Sequence, residues 1–366
     1  MTTQRKSLEI SPEKPPSVAK SEQVPISKES VVIVAATKFF RMEISQERFL
    51  GHCSLRDRCR ITEDKAKVAE ADAVVFHNAD FDSMSQQNLP RRADQVYVVA
   101  NIESPVNSPM RPPNDYINWT MTFRHDSDIW YPYAYFSTPD IAHPALTDEE
   151  LDKIWSQKTK NNIATWLVSN CDTKNDRKLL VTKLIESGLT VDIWGGCGNP
   201  APACAGVSLQ SSECVKWLVQ PYKFYISFEN TNCPDYVTEK FFETLRSRYA
   251  IPIVMQRKLY EDLRGDVKVP PNSFIAVDDF KSPAELIKHL NKVGNSKNLY
   301  LSYHQWRKEY YVKFDPMEDT GYCELCRRLL QGNNAQKSYA DLGGWYGNKP
   351  DFCDNGFVKR WLAGGK

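Results

Sequence analysis

The segment FYISFENTNCPDYVTEKFF, residues 224–242, places several polar and charged side chains between an apolar run and a helical apolar pattern. The apolar run predicts a strand buried on both faces, and ligands of open α/β sheets bind where such a strand passes into a helix. An ammonium group and the first helix amides could hold a phosphate there, while carboxylates could accept hydrogen bonds from sugar and ribose hydroxyls. The candidates are Glu229, Asn230, Tyr236, Glu239 and Lys240. This combination favours a glycosylated nucleotide over a bare triphosphate.

A second polar segment, SNCDTKNDR, follows the strand pattern IATWLV. It ends with Arg177 at the start of a predicted helix, where an arginine can bind a diphosphate through two parallel hydrogen bonds. Ser169 and Asn170 belong to the same strand end and are assigned to the same site. The chain has neither a GxxxxGK[ST] loop nor a GxGxxG motif, which disfavours kinase-like and dinucleotide-binding functions. Taken alone, Arg177 could be a surface arginine, and Asp235 and Glu239 could merely stabilise a helix N-terminus.

The first half of the chain contributes further carboxylates. Glu103 follows the strand pattern VYVVA, and Pro105 turns the chain directly after it. The Glu103 carboxylate would therefore face a cleft between two domains. Asp126 and Asp128 form a DxD triplet, a spacing that can hold a divalent cation but also arises by chance.

The elements that must position these residues are short apolar strands separated by helical patterns. Continuous apolar runs beginning at residues 31, 73, 96, 163, 190, 224, 251 and 274 predict strands of buried parallel sheets. The sequence SPAE predicts a helix with Ser282 as its cap, Pro283 in the first turn and Glu285 completing a capping box. A polar stretch with prolines, residues 137–160, separates two series of strands and helices. The predicted fold class is α/β, with two Rossmann-like domains facing each other across a cleft.

The predicted organisation has four parts: a flexible arm at 1–30, domains at 31–155 and 156–308, and a segment at 309–366 that packs back on the first domain. The arm is rich in Ser, Pro, Lys and Glu and cannot bury a core. Lys and Arg total 47 against 46 Asp and Glu, so no net field would attract nucleic acid or an acidic membrane. The apolar runs are far shorter than the roughly 20 residues that span a bilayer, so we expect neither a membrane anchor nor a signal peptide in this chain.

Ten cysteines occur in clusters, which favours an oxidising compartment and disulfides. CELC, near the end of the chain, has zinc spacing but lacks the partner pair that a zinc site usually needs.

Taken together, these segments resemble the α1,3-fucosyltransferase family, whose members are inverting enzymes of GT-B architecture. The resemblance runs from about residue 59 to about residue 330, and YKFYISFEN with DYVTEK is its most specific part. The spacing of SNC, NDR, GxCG and ENTNC also resembles the invertebrate and plant branch that fucosylates the core of N-glycans. The matching segments are CRITEDKAKVAEADAVVFH, ESP, NWTMTFRHDSDIWYPYAYF, VSNCDTKNDR, VDIWGGCG, YKFYISFENTNCPDYVTEKFF, IPIVM, FIAVDDFKSPAELIKHL, YLSYHQW and CELC.

This resemblance implies transfer of L-fucose from GDP-β-L-fucose, with inversion, in α1,3 linkage to a GlcNAc of an N-glycan or related glycoconjugate. Domain 156–308 would bind GDP-fucose and domain 31–155 the acceptor. Glu103 resembles the general base. The residues assigned to the donor are Arg177 and Lys240 at the diphosphate, Tyr236 and Glu239 at the ribose and nucleotide, and Glu229, Asn230, Ser169 and Asn170 around them. Asp126 and Asp128 are assigned to the acceptor side.

The resemblance also implies location in the Golgi lumen and disulfides that join Cys53 and Cys59 to Cys323 and Cys326. Asn118 begins the only Asn-x-Ser/Thr sequence with a permitted middle residue, so we expect a glycan there. No cofactor motif is evident; stimulation by Mn²⁺ or Mg²⁺ and a homodimer stay open. Two other functions stay open as well: a metal-dependent transferase of another nucleotide sugar, and a non-catalytic glycan-binding protein of the same fold.

Overall fold

The computed structural model describes residues 26–82, 88–161, 163–201, 204, 212–261, 263, 269–313, 320–332 and 337–365. Most of the predicted N-terminal arm, residues 1–25, lies outside the described residues. The strands are β1 Val31–Ala35, β2 Cys59–Thr62, β3 Ala73–His77, β4 Val96–Asn101, β5 Trp119–Thr122, β6 Ile129–Trp130, β7 Tyr135–Ser137, β8 Ala164–Leu167, β9 Val191–Trp194, β10 Phe224–Ile226, β11 Ile251–Val254, β12 Ile275–Ala276 and β13 Tyr311–Lys313. The α-helices are α1 Gln46–Leu50, α2 Asp148–Ser156, α3 Arg177–Glu186, α4 Glu213–Val219, α5 Glu239–Glu243, α6 Lys258–Glu261, α7 Pro283–Gly294, α8 Lys297–Ser302, α9 Gly321–Gln331, α10 Leu342–Tyr346 and α11 Phe357–Leu362.

The first sheet contains β1 to β6, all parallel, in the order β2-β1-β3-β4-β5-β6. Every residue of β3 and β4 is buried, as expected for continuous apolar strands that are covered on both faces. Helix α9 packs in the core of this sheet. Disulfides Cys53–Cys323 and Cys59–Cys326 tie α9 to the beginning of the domain, so Cys53 and Cys59 join Cys323 and Cys326 as expected. Closing so long a loop disfavours the unfolded chain by about 5 kcal/mol on a chain-entropy estimate.

The second sheet contains β8 to β12, again parallel, in the order β12-β11-β10-β8-β9. Its core includes apolar residues of α2, α3 and α7. Helix α7 begins as predicted, since Ser282 Oγ accepts a hydrogen bond from the Glu285 amide (3.3 Å) and Pro283 is its first residue. The carboxylate of Glu285, however, accepts from the Lys281 amide (3.0 Å) and not from the cap.

Two segments differ from the sequence-based expectation. The stretch 137–160 was expected to be a polar connection, but it contains α2, which a capping box between Thr147 and Glu150 begins. Residues 309–366 were expected on the first domain as a whole. Helix α11 instead packs on the second sheet, because Phe357 and Trp361 form an apolar face that is buried in the second core.

Strands β7 and β13 form a small antiparallel sheet next to this connection. Within the described part of the chain, no helix has the length and apolar character needed to cross a membrane.

Candidate active site

The candidate residues gather where the carboxyl edges of the two parallel sheets meet. Glu103 follows β4 in the first sheet, whereas Arg177 follows β8 and Lys240 follows β10 in the second. A hydrogen bond from the Tyr236 hydroxyl to Glu103 Oε1 (2.6 Å) joins the two sides. Segments predicted separately at strand ends therefore contact each other across the two domains.

Glu103 is half-buried in the turn after β4. Its Oε1 atom accepts hydrogen bonds from the Ser104 amide (2.8 Å), the Tyr236 hydroxyl (2.6 Å) and Asn107 Nδ2 (3.3 Å). Among the described residues, no hydrogen bond reaches Oε2. One carboxylate oxygen is thus fixed by the protein, and the other can accept a proton from a ligand.

Two tyrosines hold the backbone of the same turn. The Tyr133 hydroxyl donates to the carbonyl of Ile102 (2.8 Å), and the Tyr346 hydroxyl donates to the carbonyl of Glu103. Burial, reinforced by nearby carboxylates, raises the pKa of both tyrosines well above the ordinary value. Both hydroxyls therefore stay protonated donors. Sequence reasoning did not identify either residue, although Tyr133 lies in one of the segments that carried the family resemblance.

Glu229 is a buried carboxylate that supports the start of α5. The Thr238 amide donates to Glu229 Oε1 (2.8 Å), and the Thr238 hydroxyl donates to Oε2 (2.7 Å). Lys240 Nζ lies 3.3 Å from Glu229 Oε2 and 3.0 Å from Glu239 Oε1. The ammonium group therefore sits between two carboxylates. The Thr238 amide, one of those expected to contact phosphate, is already used by Glu229.

The charges of this cluster determine its protonation. Burial raises the pKa of Glu229. Burial also opposes ionisation of Glu239, but the adjacent charge of Lys240 lowers the pKa of Glu239 overall. For Lys240, burial is outweighed by the charges of Glu239 and Glu229, which raise the pKa of its ammonium. Lys240 thus stays positively charged at neutral pH.

Arg177 is the first residue of α3 and is only 3% exposed. Its Nη1 donates to the carbonyl of Phe228 (2.8 Å), and its Nη2 donates to the carbonyl of Asn170 (2.9 Å). These two carbonyls fix the plane of the guanidinium group. The Nε–H is buried and has no acceptor among the described residues. Because a buried donor without an acceptor is unfavourable, this group suits an anionic ligand.

Ser169 and Asn170 contribute to the frame around Arg177. Ser169 Oγ accepts from the Gly196 amide (3.2 Å), and the Cys171–Cys197 disulfide joins the same two loops. Gly195 adopts φ +94°, and a Cβ atom there would lie 2.7 Å from the carbonyl oxygen of the residue before Ser169. The loops can approach this closely only with glycine at that position.

Asn175, which sequence reasoning missed, joins the two donor-side segments. Its Nδ2 donates to the carbonyl of Glu229 (2.9 Å) and to Asn232 Oδ1 (2.9 Å). Asn230, a predicted donor contact, is half-buried beside them, and its Oδ1 accepts a long hydrogen bond from the Thr231 hydroxyl (3.5 Å). The Asn-Asp-Arg sequence offered a signal for Asn175, since asparagine side chains in the turn that leads into a helix often hydrogen-bond to backbone groups.

His125 and Asp235 form a second link between the two sides of the cleft. The His125 amide donates to Asp235 Oδ2 (3.0 Å), and His125 Nε2 lies 3.3 Å from Oδ1. Asp235 has a left-handed backbone, φ 63°, which turns its side chain toward the first domain. Burial raises the pKa of Asp235.

The DxD triplet does not form a metal site. Asp126 pairs with Arg124 through two contacts of 2.8 Å. Asp128 accepts from the Tyr339 hydroxyl (2.7 Å) and pairs with Lys337. The two carboxylates thus have separate cationic partners, and the described residues hold no group of three His, Cys, Asp or Glu side chains that could bind a metal. These contacts give no support to metal binding by Asp126 and Asp128.

The side-chain amide of Asn118 is also hydrogen-bonded within the fold. Its Oδ1 accepts from the Tyr97 amide (2.8 Å) and from Arg91 (2.6 Å), and its Nδ2 donates to the carbonyl of Lys337 (2.8 Å). A glycan on Nδ2 would crowd the junction with the chain around Lys337. The structure therefore argues against the expected glycan.

Fucosyltransferase family models and relatives match this chain along most of its length. The family model "Fucosyltransferase, N-terminal" matches residues 28–134, and "Glycosyltransferase family 10 (fucosyltransferase) C-term" matches residues 155–345. The chain is 44% identical over 347 residues to alpha-(1,3)-fucosyltransferase fut-6 of Caenorhabditis elegans, which covers 93% of this chain and 85% of the relative. It is 36% identical over 339 residues to fut-5 of the same species, with 91% and 86% covered.

Solved structures show the same architecture. An α1,3-fucosyltransferase crystal structure with GDP-fucose superposes with a TM-score of 0.54 at 16% identity, covering 90% of this chain and 95% of that chain. One with GDP gives a TM-score of 0.50 at 18% identity, covering 79% and 84%. At such identities the likeness concerns the fold, and it confirms the predicted GT-B architecture of two facing α/β domains.

Proposed function

The chain belongs to the glycosyltransferase family 10 fucosyltransferases, and we propose that it transfers L-fucose from GDP-β-L-fucose in α1,3 linkage to a GlcNAc of an N-glycan or related glycoconjugate. The observation that supports the proposal most directly is the hydrogen bond from Tyr236 to Glu103 (2.6 Å), which joins the candidate base to the segment that carries Lys240. A carboxylate on one side and two cations on the other suit a displacement in which an acceptor loses a proton and a diphosphate departs.

In this reaction the acceptor hydroxyl attacks the anomeric carbon of fucose from the face opposite GDP. The new C–O bond forms as the bond from carbon to the β-phosphate oxygen breaks, and its electron pair leaves with GDP. The proton of the hydroxyl passes to Glu103 Oε2, the oxygen that no described residue engages. A single displacement inverts the β-linked donor into an α-linked product. General-base assistance of this kind contributes roughly 10²–10⁴-fold.

Arg177 and Lys240 balance the charge that grows on the leaving diphosphate. The carbonyls of Phe228 and Asn170 already orient the guanidinium group, so its Nε–H needs no rearrangement to donate to a phosphate oxygen. Lys240 is held 3.0 Å from Glu239 and 3.3 Å from Glu229 and can share its remaining donor capacity with the phosphate. The pair of carboxylates keeps the ammonium in place between turnovers.

The remaining donor assignments concern the sugar and nucleoside. Glu239 is a carboxylate at the edge of the same cleft and suits a ribose hydroxyl. Tyr236 contacts Glu103 directly, so it connects nucleotide binding with the base. Glu229 acts within this proposal as a support, because Thr238 uses both of its oxygens.

A GlcNAc acceptor on N-glycans and residence in the Golgi lumen complete the proposal. Five disulfides among the described residues suit an oxidising lumen. Relatives in Caenorhabditis elegans named alpha-(1,3)-fucosyltransferase support the linkage.

The test is incubation with GDP-fucose and a panel of N-glycans that differ in their core and their antennae. Mass spectrometry should detect addition of one fucose to acceptors with an accessible GlcNAc, and fragmentation should place it at the core or at an antenna. The Glu103→Gln variant is the matched control. Equal product from wild type and variant, or no product with any acceptor, would contradict the proposal.

A further inference from the structure

Residues 337–365, which we call the C-terminal strap, cross both halves of the candidate active site. Most of the strap, residues 346–365, lies beyond both family models, which match residues 28–134 and 155–345. The strap nevertheless contacts the first domain, the candidate base and the donor-binding segment in succession.

The strap begins on the first domain, next to β5 and β6. The Tyr339 hydroxyl donates to Asp128 Oδ2 (2.7 Å), and Lys337 pairs with the same carboxylate. The Tyr339 carbonyl accepts from the Asp115 amide (2.8 Å), and the Ser338 hydroxyl donates to the Asp115 carboxylate (2.6 Å). These contacts give the half-buried Asp128 carboxylate a cationic and a hydroxyl partner from the strap.

The middle of the strap reaches the candidate base. Tyr346 is fully buried, and its hydroxyl donates to the backbone carbonyl of Glu103. Its ring belongs to the same buried cluster as Phe123, Cys233 and Tyr236. Tyr346 and Tyr236 therefore grip Glu103 at two points, one through the main chain and one through Oε1.

The end of the strap is fixed to the donor-binding segment. Cys353 forms a disulfide with Cys233, the Asp354 amide donates to the carbonyl of Asn232 (2.7 Å), and the Asn232 amide donates to Asn355 Oδ1 (3.2 Å). Beyond these contacts, helix α11 packs into the core of the second sheet, and Trp361 Nε1 donates to the carbonyl of Phe280 (2.8 Å). The strap is thus bound firmly to both domains.

We propose that the C-terminal strap is a positioning element that sets Glu103 against the donor-binding segment, with Tyr346 and the Cys233–Cys353 disulfide as its two contact points. The inference rests on the proposed function, since it concerns the distance between the base and the donor sugar. Interfaces between domains of one chain usually permit relative motion. A misplacement of about 1 Å can reduce a rate by about 10²-fold. A strap that holds both sides limits this motion, and Tyr346 acts through Glu103 without touching the substrate.

The first test is Tyr346→Phe, which keeps the buried ring and removes only the hydroxyl. Loss of this hydrogen bond should lower kcat by about 3- to 10-fold. The turnover is expressed per site titrated with GDP, so that unfolded protein does not count. KM for GDP-fucose and the calorimetric affinity for GDP should stay at the wild-type values, because the hydroxyl contacts the base and not the donor site. A wild-type kcat, or a joint fall of kcat and GDP affinity, would overturn the proposal.

The second test is Cys233→Ser with Cys353→Ser, which releases the end of the strap. We expect kcat to fall by about 10- to 100-fold, since both sides of the cleft then shift. The matched control is Cys204→Ser with Cys214→Ser, which removes a disulfide between positions only 10 residues apart in the second domain. The control should keep the wild-type kcat, and an equal loss in both double variants would refute a positioning role.

Amide hydrogen exchange separates this proposal from the proposed function. Release of the Cys233–Cys353 disulfide should accelerate exchange in residues 102–108 as well as in residues 230–236, although the disulfide joins only the latter to the strap. Unchanged exchange at 102–108 would overturn the strap proposal whatever the activity. If the wild-type chain transfers no fucose while the Cys233→Ser, Cys353→Ser variant shows the accelerated exchange, only the proposed function is contradicted.

Discussion

Replacement of Glu103 by glutamine separates proton transfer from every other role of this residue. The three hydrogen bonds that fix the side chain all end on Oε1, from the Ser104 amide (2.8 Å), the Tyr236 hydroxyl (2.6 Å) and Asn107 (3.3 Å). The glutamine oxygen can occupy this position and accept the same three bonds. Its NH₂ group then occupies the Oε2 position, where it can donate but cannot take a proton. The variant should fold as the wild type and lack the base.

The expected loss follows from the role of the base. General-base assistance contributes roughly 10²–10⁴-fold, which corresponds to about 2.7–5.4 kcal/mol of activation free energy. Initial rates at saturating GDP-fucose should show this loss in kcat, while calorimetry should give a wild-type affinity for GDP. Tyr236→Phe is the matched control, because it removes one hydrogen bond to Oε1 and leaves the carboxylate. Its kcat should fall by only about 3- to 10-fold.

Two outcomes would refute this reasoning. Normal turnover of Glu103→Gln would show that the carboxylate takes no proton in the rate-limiting step. A loss of GDP affinity in proportion to the rate would place Glu103 at the donor site, on the wrong side of the cleft for a base.

Other residues give further predictions. Arg177→Lys should weaken GDP binding in calorimetry, because a lysine ammonium lacks the planar fork whose separate N–H groups reach both backbone carbonyls and a phosphate; Lys240→Ala should weaken it as well, and wild-type affinity in both variants would remove the diphosphate assignment. Asp128→Ala should lower the free energy of unfolding by about 1–3 kcal/mol in denaturant titration, since it leaves the buried Thr120 and the half-buried Tyr339 without their shared acceptor, and GDP affinity should not change; a selective loss of GDP affinity would contradict this. Asn118 should carry no glycan, so glycosidase treatment of protein from a secretory host should leave the mass unchanged, and a mass shift would show that the folded junction accommodates the sugar.

The sheets were predictable because a parallel sheet leaves a strong local signal. Each continuous apolar run that predicted a strand forms one, and AVVF became β3, which is buried throughout. The strands that escaped prediction are different in composition. Strand β2, CRIT, alternates buried and exposed residues at a sheet edge, and β5, WTMT, contains two threonines although all its residues are buried. Polar residues hide such strands from a search for apolar runs.

The residues of the candidate site that the sequence predicted lie in segments that follow strands. Glu103, Arg177 and Lys240 follow strands, and parallel strands bring such positions to one edge. Their partners depend instead on how distant segments pack. Tyr236 meets Glu103 across 133 positions, and Tyr346 meets it across 243. No local pattern predicts these contacts. The spacing of the DxD triplet was uninformative for the same reason. It did not reveal that Asp126 pairs with Arg124 and Asp128 with Lys337.

The polar residues of the segment 229–240 lie close together in the sequence because they contact different parts of the molecule. Glu229 faces inward and fixes the start of α5 through Thr238, which in turn holds Lys240 in the cleft. Asp235 and Tyr236 face the first domain and meet His125 and Glu103. The same segment continues into the C-terminal strap through Cys233. A strand-to-helix turn that only bound a nucleotide would not require the contacts of Asp235, Tyr236 and Cys233. These contacts instead make the donor-binding segment the reference for the position of the base.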